Sequence, residues 1–193
     1  ARLHALVLYP GLRKLSLLIS GGFRPREAAM DELFGSQPLY WEQREKVLER
    51  HPIQFRYPQI LTPGITEVTE MLCRAGLQLA VVSNSSTEVV DQALHQCGIR
   101  ENFRHIFSGW ERPDRKPEPA LYQQAMTYFG LKAENCLVVE DSPVGIRAGK
   151  RAGLPVAALR DRDGLIDQSE ADVVLLTIRD LLALPCVRKT MKM

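Results

Sequence analysis

The sequence predicts a three-layer, Rossmann-like α/β fold: a parallel sheet with helices on both faces, and a small helical subdomain inserted after the first strand. Three observations predict it. From residue 65 onward, short apolar runs alternate with longer amphipathic segments, and four of those segments are closed by Gly76, Gly98, Gly130 and Gly153. That is the pattern of right-handed βαβ units. Three of the apolar runs open into polar or charged clusters, as strands do when their carboxyl ends carry a site. Between the first apolar run and the rest lies a charged, helical stretch over residues 25–50.

Taken in order, residues 3–9 form an apolar run closed by Pro10-Gly11, a strand ending in a turn. Residues 15–19 are apolar without clear periodicity. Residues 26–34 and 39–51 are two amphipathic helices broken by Gly35-Ser36-Gln37-Pro38. Pro52, Pro58 and Pro63-Gly64 mark the return to the main body. This divides the chain into a core of residues 1–14 and 59–193 and a helical subdomain of residues 15–58. In the core we expect helices over 66–75, 87–96, 119–129, 143–151 and 178–184. Strands are expected over 77–82, 105–107, 136–139, 154–159 and 173–175. No repeat or low-complexity tract is present.

The composition bounds the function. Of 193 residues, 45% are apolar and 25% charged, a globular profile. The net charge of +2 gives no reason to expect a nucleic-acid or membrane partner. No apolar run reaches the ~20 residues of a membrane span, and the sequence shows no secretory signal. Cys73, Cys97, Cys136 and Cys186 are far apart and form no CxxC pair. They read as reduced thiols of a cytoplasmic protein rather than as a zinc site. A monomer or weak dimer is the expectation.

Chemistry concentrates at three strand ends. At the first, Val81-Val82 opens into Ser83-Asn84-Ser85-Ser86, and a helix starts at Thr87. The Ser83 hydroxyl with the backbone N–H groups of Asn84 and Ser85 suits an anion; plain helix capping by Ser85 or Ser86 is the alternative. At the second, Asp114-Arg115-Lys116-Pro117-Glu118-Pro119 holds a lysine in a proline-stiffened loop before a helix. Such a lysine suits a phosphate oxygen; an ordinary loop lysine is the alternative. At the third, the run Leu137-Val138-Val139 ends in Glu140-Asp141, followed by Ser142 as N-cap and Pro143 as first helical residue. Two adjacent acids repel unless a cation is shared, and a hard divalent ion such as Mg²⁺ fits them. An acid-rich helix start is the alternative. Ser83 and Lys116 are 33 residues apart, and Lys116 and Asp141 are 25 apart. Each interval holds about one helix-plus-strand unit, so the three clusters converge on one sheet edge. A hydroxyl, a lysine and an acid pair form a site for phosphate plus a metal ion.

These segments resemble the haloacid dehalogenase-like (HAD) superfamily, and within it the β-phosphoglucomutase and sugar-phosphatase branch. VVSNSS is similar to the family's second motif, RKPEPALY to the third and VVEDSPVGIRAGKRAG to the fourth, while TPGITEVTEML resembles the segment preceding the second. The resemblance covers residues 61–159 strongly and 171–184 more weakly. It implies a Mg²⁺-dependent phosphatase acting on a small, sugar-phosphate-type metabolite. Ser83, Asn84 and Lys116 would bind the phosphoryl group, Asp141 helped by Glu140 would hold the metal, and residues 15–58 would form the cap.

One motif departs from the pattern. The family's first motif is a strand ending in Asp-x-Asp-Gly, whose first aspartate is the nucleophile and whose second is the general acid and base. Here the matching run is Ala5-Leu6-Val7-Leu8-Tyr9-Pro10-Gly11, and the first acid of the chain is Glu27. Tyr9 stands nearest the nucleophile's place. The resemblance therefore implies a phosphohydrolase whose nucleophile is missing from the sequence as given, through loss, truncation or an altered amino-terminal sequence. A non-catalytic phosphate- or metal-binding pseudo-phosphatase is the first alternative. A phosphoglucomutase-like phosphotransferase, which needs the same aspartates, is the second.

Overall fold

The computed structural model describes residues 56–161, 164 and 166–191. The expectations for the first strand, for the helical subdomain through residue 55 and for Tyr9 lie outside those residues. The elements run α1 (Tyr57–Ile60), α2 (Ile65–Arg74), β1 (Ala80–Ser83), α3 (Thr87–Gln96), β2 (His105–Ser108) and α4 (Ala120–Phe129). They continue with β3 (Val138–Glu140), α5 (Pro143–Arg151), β4 (Val156–Leu159), β5 (Val173–Leu175) and α6 (Pro185–Met191). Short 3₁₀ turns cover Arg100–Asn102, Ala133–Asn135 and Ile178–Ala183.

Every strand pairing among the described residues is parallel, as the alternation predicts. β1 pairs with β2 from Ala80↔His105 to Ser83↔Ser108. β4 lies between β3 and β5, paired from Val138↔Val156 to Glu140↔Ala158 and from Ala157↔Val173 to Leu159↔Leu175. β4 is buried on both faces, and its side chains alternate between two cores. Ala157 and Leu159 join one core with Val68, Val90, Leu94 and Ile178. Val156 and Ala158 join the other with Tyr122, Val138 and Ile146. A strand sandwiched this way reads as a continuous apolar run, which is how residues 154–159 stand out in the sequence.

Three predicted strands begin later than expected, because the residues before them close helical turns. Leu77, Ile99, Leu131 and Leu154 each follow a helix-stopping glycine. Their N–H groups donate to the carbonyls of Leu72, Leu94, Met126 and Gly149 at 3.0–3.1 Å. The glycines between have φ from +63° to +82°. These are Schellman closures, in which the apolar residue after the glycine folds back on its own helix. Leu77 and Leu154 therefore complete helix ends instead of opening strands. Residues 136 and 137 likewise lie outside β3, because the Cys136 N–H closes the 3₁₀ turn on Ala133 O at 3.1 Å.

The carboxyl end of the chain also differs from expectation. The stretch expected as one helix over 178–184 is a 3₁₀ segment, and a separate helix, α6, follows it. Leu184 precedes a proline and is extended, with φ −60° and ψ 135°, as pre-proline sterics require. Pro185 then starts α6 where its missing N–H costs nothing. Elsewhere the cap read at Ser142 is present, and of the two alternatives Ser85 and Ser86 it is Ser86 that caps α3. Ser86 accepts the Val89 N–H at 3.4 Å and Ser142 accepts the Gly145 N–H at 3.2 Å. The cysteines are free thiols, and burial pushes those of Cys73, Cys97 and Cys136 above their ordinary value.

Candidate active site

β1 ends at Ser83, a fully buried serine. Its Oγ accepts the Ser85 N–H at 2.8 Å, which tightens the turn before α3. β2 supports this turn from the side: the Ser108 hydroxyl donates to Ser85 O at 2.8 Å, and the Gly109 N–H to Ser83 O at 2.6 Å. The Asn84 carboxamide clamps the backbone of Lys116, donating to Lys116 O at 3.0 Å and accepting the Lys116 N–H at 3.1 Å. One side chain thus supplies both halves of a backbone rung. The Lys116–Pro117 peptide is cis.

The clamp sets the stem of Lys116, and Glu140 sets its head. Lys116 is buried, and its Nζ donates to Glu140 Oε1. The same oxygen accepts the Tyr122 hydroxyl at 3.1 Å. Glu140 Oε2 accepts the N–H groups of Asp141 and Ser142 at 3.2 and 3.4 Å and the Ser142 hydroxyl at 3.1 Å. Five donors surround one buried carboxylate. Burial by itself raises its pKa, but Lys116 and the two backbone N–H groups outweigh burial and hold it at about 2. Glu140 is therefore ionised. Tyr122 has the opposite fate: burial first, then the charges of Glu140 and Asp141, push its hydroxyl well above the ordinary value, so it remains a donor.

α5 begins so close to this carboxylate that Gly145 is required. A Cβ there would overlap the Glu140 carboxyl group. Asp141, also buried, follows Glu140 at the end of β3. Its carbonyl accepts Gln168 Nε2 at 2.9 Å.

The structure thus brings Asn84, Lys116 and Glu140 into one hydrogen-bonded network, with Ser83 and Asp141 adjoining it in sequence at the strand ends. One member, Tyr122, and one residue beside the network, Gln168, were missed in the sequence. Tyr122 lies six residues after Lys116, at a helix position that looks like plain core. Gln168 lies in a loop with no pattern around it. The predicted repulsion between Glu140 and Asp141 is relieved at Glu140 by Lys116, a cation of the protein itself.

Among the described residues no three His, Cys, Asp or Glu side chains cluster as a metal centre. Both Glu140 oxygens are engaged by protein donors. A Mg²⁺ at this strand end would therefore rest on Asp141, a single protein carboxylate, which is a number this ion accepts.

A parallel α/β core with a lysine, a hydroxyl turn and an acid pair at its strand ends defines a class, and the chain belongs to it: residues 25–159 match the haloacid dehalogenase-like hydrolase family. Several of its relatives are named as phosphoglycolate phosphatases, and one is a haloacetate dehalogenase of Moraxella. The chain is 32% identical over 127 residues to phosphoglycolate phosphatase 1 of Pseudomonas aeruginosa, covering 64% of this chain and 46% of that protein. It is 35% identical over 97 residues to a CBBY-like protein of Arabidopsis thaliana, covering 49% of this chain and 30% of that protein. The chain thus spans less than half the length of these relatives. Among solved structures, a predicted phosphoglycolate phosphatase from Haemophilus somnus aligns with TM-score 0.70 and 26% identity, covering 91% of this chain and 82% of that one. CbbY from Rhodobacter sphaeroides in complex with xylulose-1,5-bisphosphate aligns with TM-score 0.63 and 26% identity, covering 88% and 79%. Among the described residues no helix is long and apolar enough to cross a membrane.

Proposed function

We propose that this chain binds the phosphoryl group of a small phosphorylated metabolite and derives from Mg²⁺-dependent phosphatases, its hydrolytic power depending on a carboxylate that its first motif lacks. The observation that carries this reading is the double restraint on Lys116, its backbone clamped by Asn84 and its ammonium held by Glu140. A buried lysine restrained at both ends is preorganised for an anion and loses little side-chain entropy on binding. A relative named for phosphoglycolate, and a structural neighbour solved in complex with xylulose-1,5-bisphosphate, support the substrate class.

In this reading Ser83 and the N–H groups of the turn after β1 receive phosphate oxygens, and Lys116 neutralises their charge. Glu140 keeps Lys116 charged and aimed. Asp141 would hold Mg²⁺, which when bound screens the negative charge of the phosphoryl oxygens. None of these groups supplies an attacking atom. Tyr9 is a poor substitute, since a phenol of ordinary pKa ≈ 10 is protonated at neutral pH. The absence of any acid before Glu27 favours a second reading, a phosphate-binding protein without catalysis.

Hydrolysis of an aryl phosphate, with and without Mg²⁺, on protein of verified mass separates the two. The chain as written is expected to turn over far more slowly than intact relatives. Tyr9→Asp with Gly11→Asp is expected to raise the rate by several orders of magnitude, because nucleophile and acid act as a unit. Robust metal-dependent turnover by the unaltered chain would point to a different nucleophile, and no gain in the double variant would leave the binding-only reading standing.

A further inference from the structure

The last register pair between β3 and β4 is Glu140↔Ala158. The next pair would be Asp141 with Leu159, but the chain leaves the ladder at Asp141 to enter α5. A buried backbone carbonyl at that point needs a donor from elsewhere. Gln168, in the loop between β4 and β5, supplies it. Its Nε2 donates to Asp141 O at 2.9 Å and to Leu159 O at 2.8 Å. Its Oε1 accepts the Asp161 N–H at 3.1 Å. Both N–H groups of the carboxamide and its oxygen are engaged, and it bridges the carbonyls of the two residues next in register.

The effect on Asp141 is specific. Its N–H donates to Glu140 Oε2 at 3.2 Å, and its C=O is held by Gln168. Both of its main-chain groups are thus fixed by side chains rather than by the sheet. The Asp141 carboxylate stands on a backbone whose placement those two side chains set. Loss of the Gln168 contact frees the carbonyl end while leaving the Lys116–Glu140–Tyr122 network and the Asn84 clamp untouched, since none of them touches Gln168.

We propose that Gln168 is a positioning residue for Asp141, acting as a side-chain rung that closes the sheet between β3 and β4 and aims the Asp141 carboxylate at a divalent cation. This rests on the reading of Asp141 as the metal ligand. It adds to that reading a dependence of cation affinity, and not of phosphate affinity itself, on the loop between β4 and β5.

The test titrates the full chain with inorganic phosphate, once with Mg²⁺ and once with EDTA, in the unaltered protein and in Gln168→Met and Gln168→Ala. The Mg²⁺-dependent gain in phosphate affinity is expected to fall about tenfold or more in both variants, the effect typical of removing a group that orients a metal ligand. Affinity in EDTA, which reads Lys116 and the Ser83 turn, is expected to be unchanged. An undiminished Mg²⁺-dependent gain in the variants overturns the proposal. An equal loss with and without Mg²⁺ also overturns it, because a merely structural role would act that way. Absence of any Mg²⁺-dependent gain in the unaltered chain instead overturns the reading of Asp141, and the proposal with it. A second measurement needs no variant: the side-chain amide resonances of Gln168 in ¹⁵N spectra should shift on Mg²⁺ addition in the presence of phosphate, but not on phosphate addition in EDTA. Resonances indifferent to Mg²⁺ count against the proposal.

Discussion

Two ion pairs stand on either side of the start of α5, and they could hardly differ more. Lys116 and Glu140 have side chains 6% and 7% exposed, whereas Arg147 and Glu170 are 37% and 50% exposed. Arg147 donates to one oxygen of Glu170, Oε1, from both Nε at 3.2 Å and Nη2 at 2.9 Å. Glu140 has five donors and little contact with solvent. Geometry alone would rank the two pairs alike. Burial separates them, because each partner of a buried pair depends on the other to offset desolvation, while partners of an exposed pair are readily hydrated. The buried pair is therefore where single substitutions reach both stability and the site.

The largest expected effect follows from leaving a charge alone. Glu140→Ala keeps Lys116 in a buried position without its counter-ion. A loss of about 3–5 kcal/mol in urea or thermal unfolding is expected, together with weakened phosphate binding. Replacing both partners, Lys116→Met with Glu140→Leu, removes the stranded charge. That double variant is expected to recover most of the stability and none of the phosphate affinity. A double variant no more stable than Glu140→Ala would break the comparison, since it would show that the charge itself was not the cost.

The pH dependence has a definite sign. The folded-state pKa of Glu140 is about 2, below its ordinary value of 4.5. A depressed carboxyl contributes stability that is present above the ordinary value and lost as pH falls through the folded one. Unfolding free energy is therefore expected to decline between about pH 4.5 and 2, and the decline should be shallower in the uncharged double variant. Equal slopes in the two proteins would assign acid sensitivity to other carboxylates.

Tyr122→Phe is expected to cost less, about 1.5–3 kcal/mol, the range for a hydrogen bond to a charged group. Lys116 still occupies Glu140 Oε1 in that variant, so the carboxylate keeps a charged partner. A change within error of zero in thermal unfolding would show that the hydroxyl contributes nothing beyond its ring.

The same contrast between local and distant partners explains what the sequence disclosed. Ser142, and the choice of Ser85 or Ser86, were readable as caps because a cap and the N–H that donates to it lie within three residues. The parallel order of the strands was readable from the glycines and apolar runs. Strand starts at residues 77 and 154 were not, because Leu77 and Leu154 look equally apolar whether they close a Schellman turn or open a strand. The convergence of Asn84, Lys116 and Glu140 was readable as neighbourhood. The bonds were not: Asn84 acts on the Lys116 backbone across 32 residues, and Lys116 reaches Glu140 across 24. Glu140 and Asp141 look identical in sequence as a pair of acids. Only the fold shows that one turns inward to five donors while the other is held through its own backbone. Gln168 left no trace at all, since a glutamine in a loop is the ordinary case and its three partners are backbone atoms without side-chain identity.

The smallest expected effect belongs to the exposed pair, and it is the one that sharpens the comparison most. Arg147 and Glu170 are 23 residues apart, joining α5 to the loop before β5. Their attraction acts through water, is screened by salt and is opposed by the entropy of ordering two long side chains. Arg147→Ala is expected to change stability by only about 0.2–1 kcal/mol. That small difference should shrink further as ionic strength rises to about 1 M, where the Debye length falls to about 3 Å. Phosphate affinity should not change, because Arg147 touches neither Lys116 nor Glu140. The cost of Glu140→Ala should instead be nearly independent of salt, because its pair is screened by protein. Chemical unfolding of both variants by urea at low and high salt reads this directly. A salt-insensitive loss of several kcal/mol in Arg147→Ala would mean that contact geometry, and not burial, decides what an ion pair contributes in this fold.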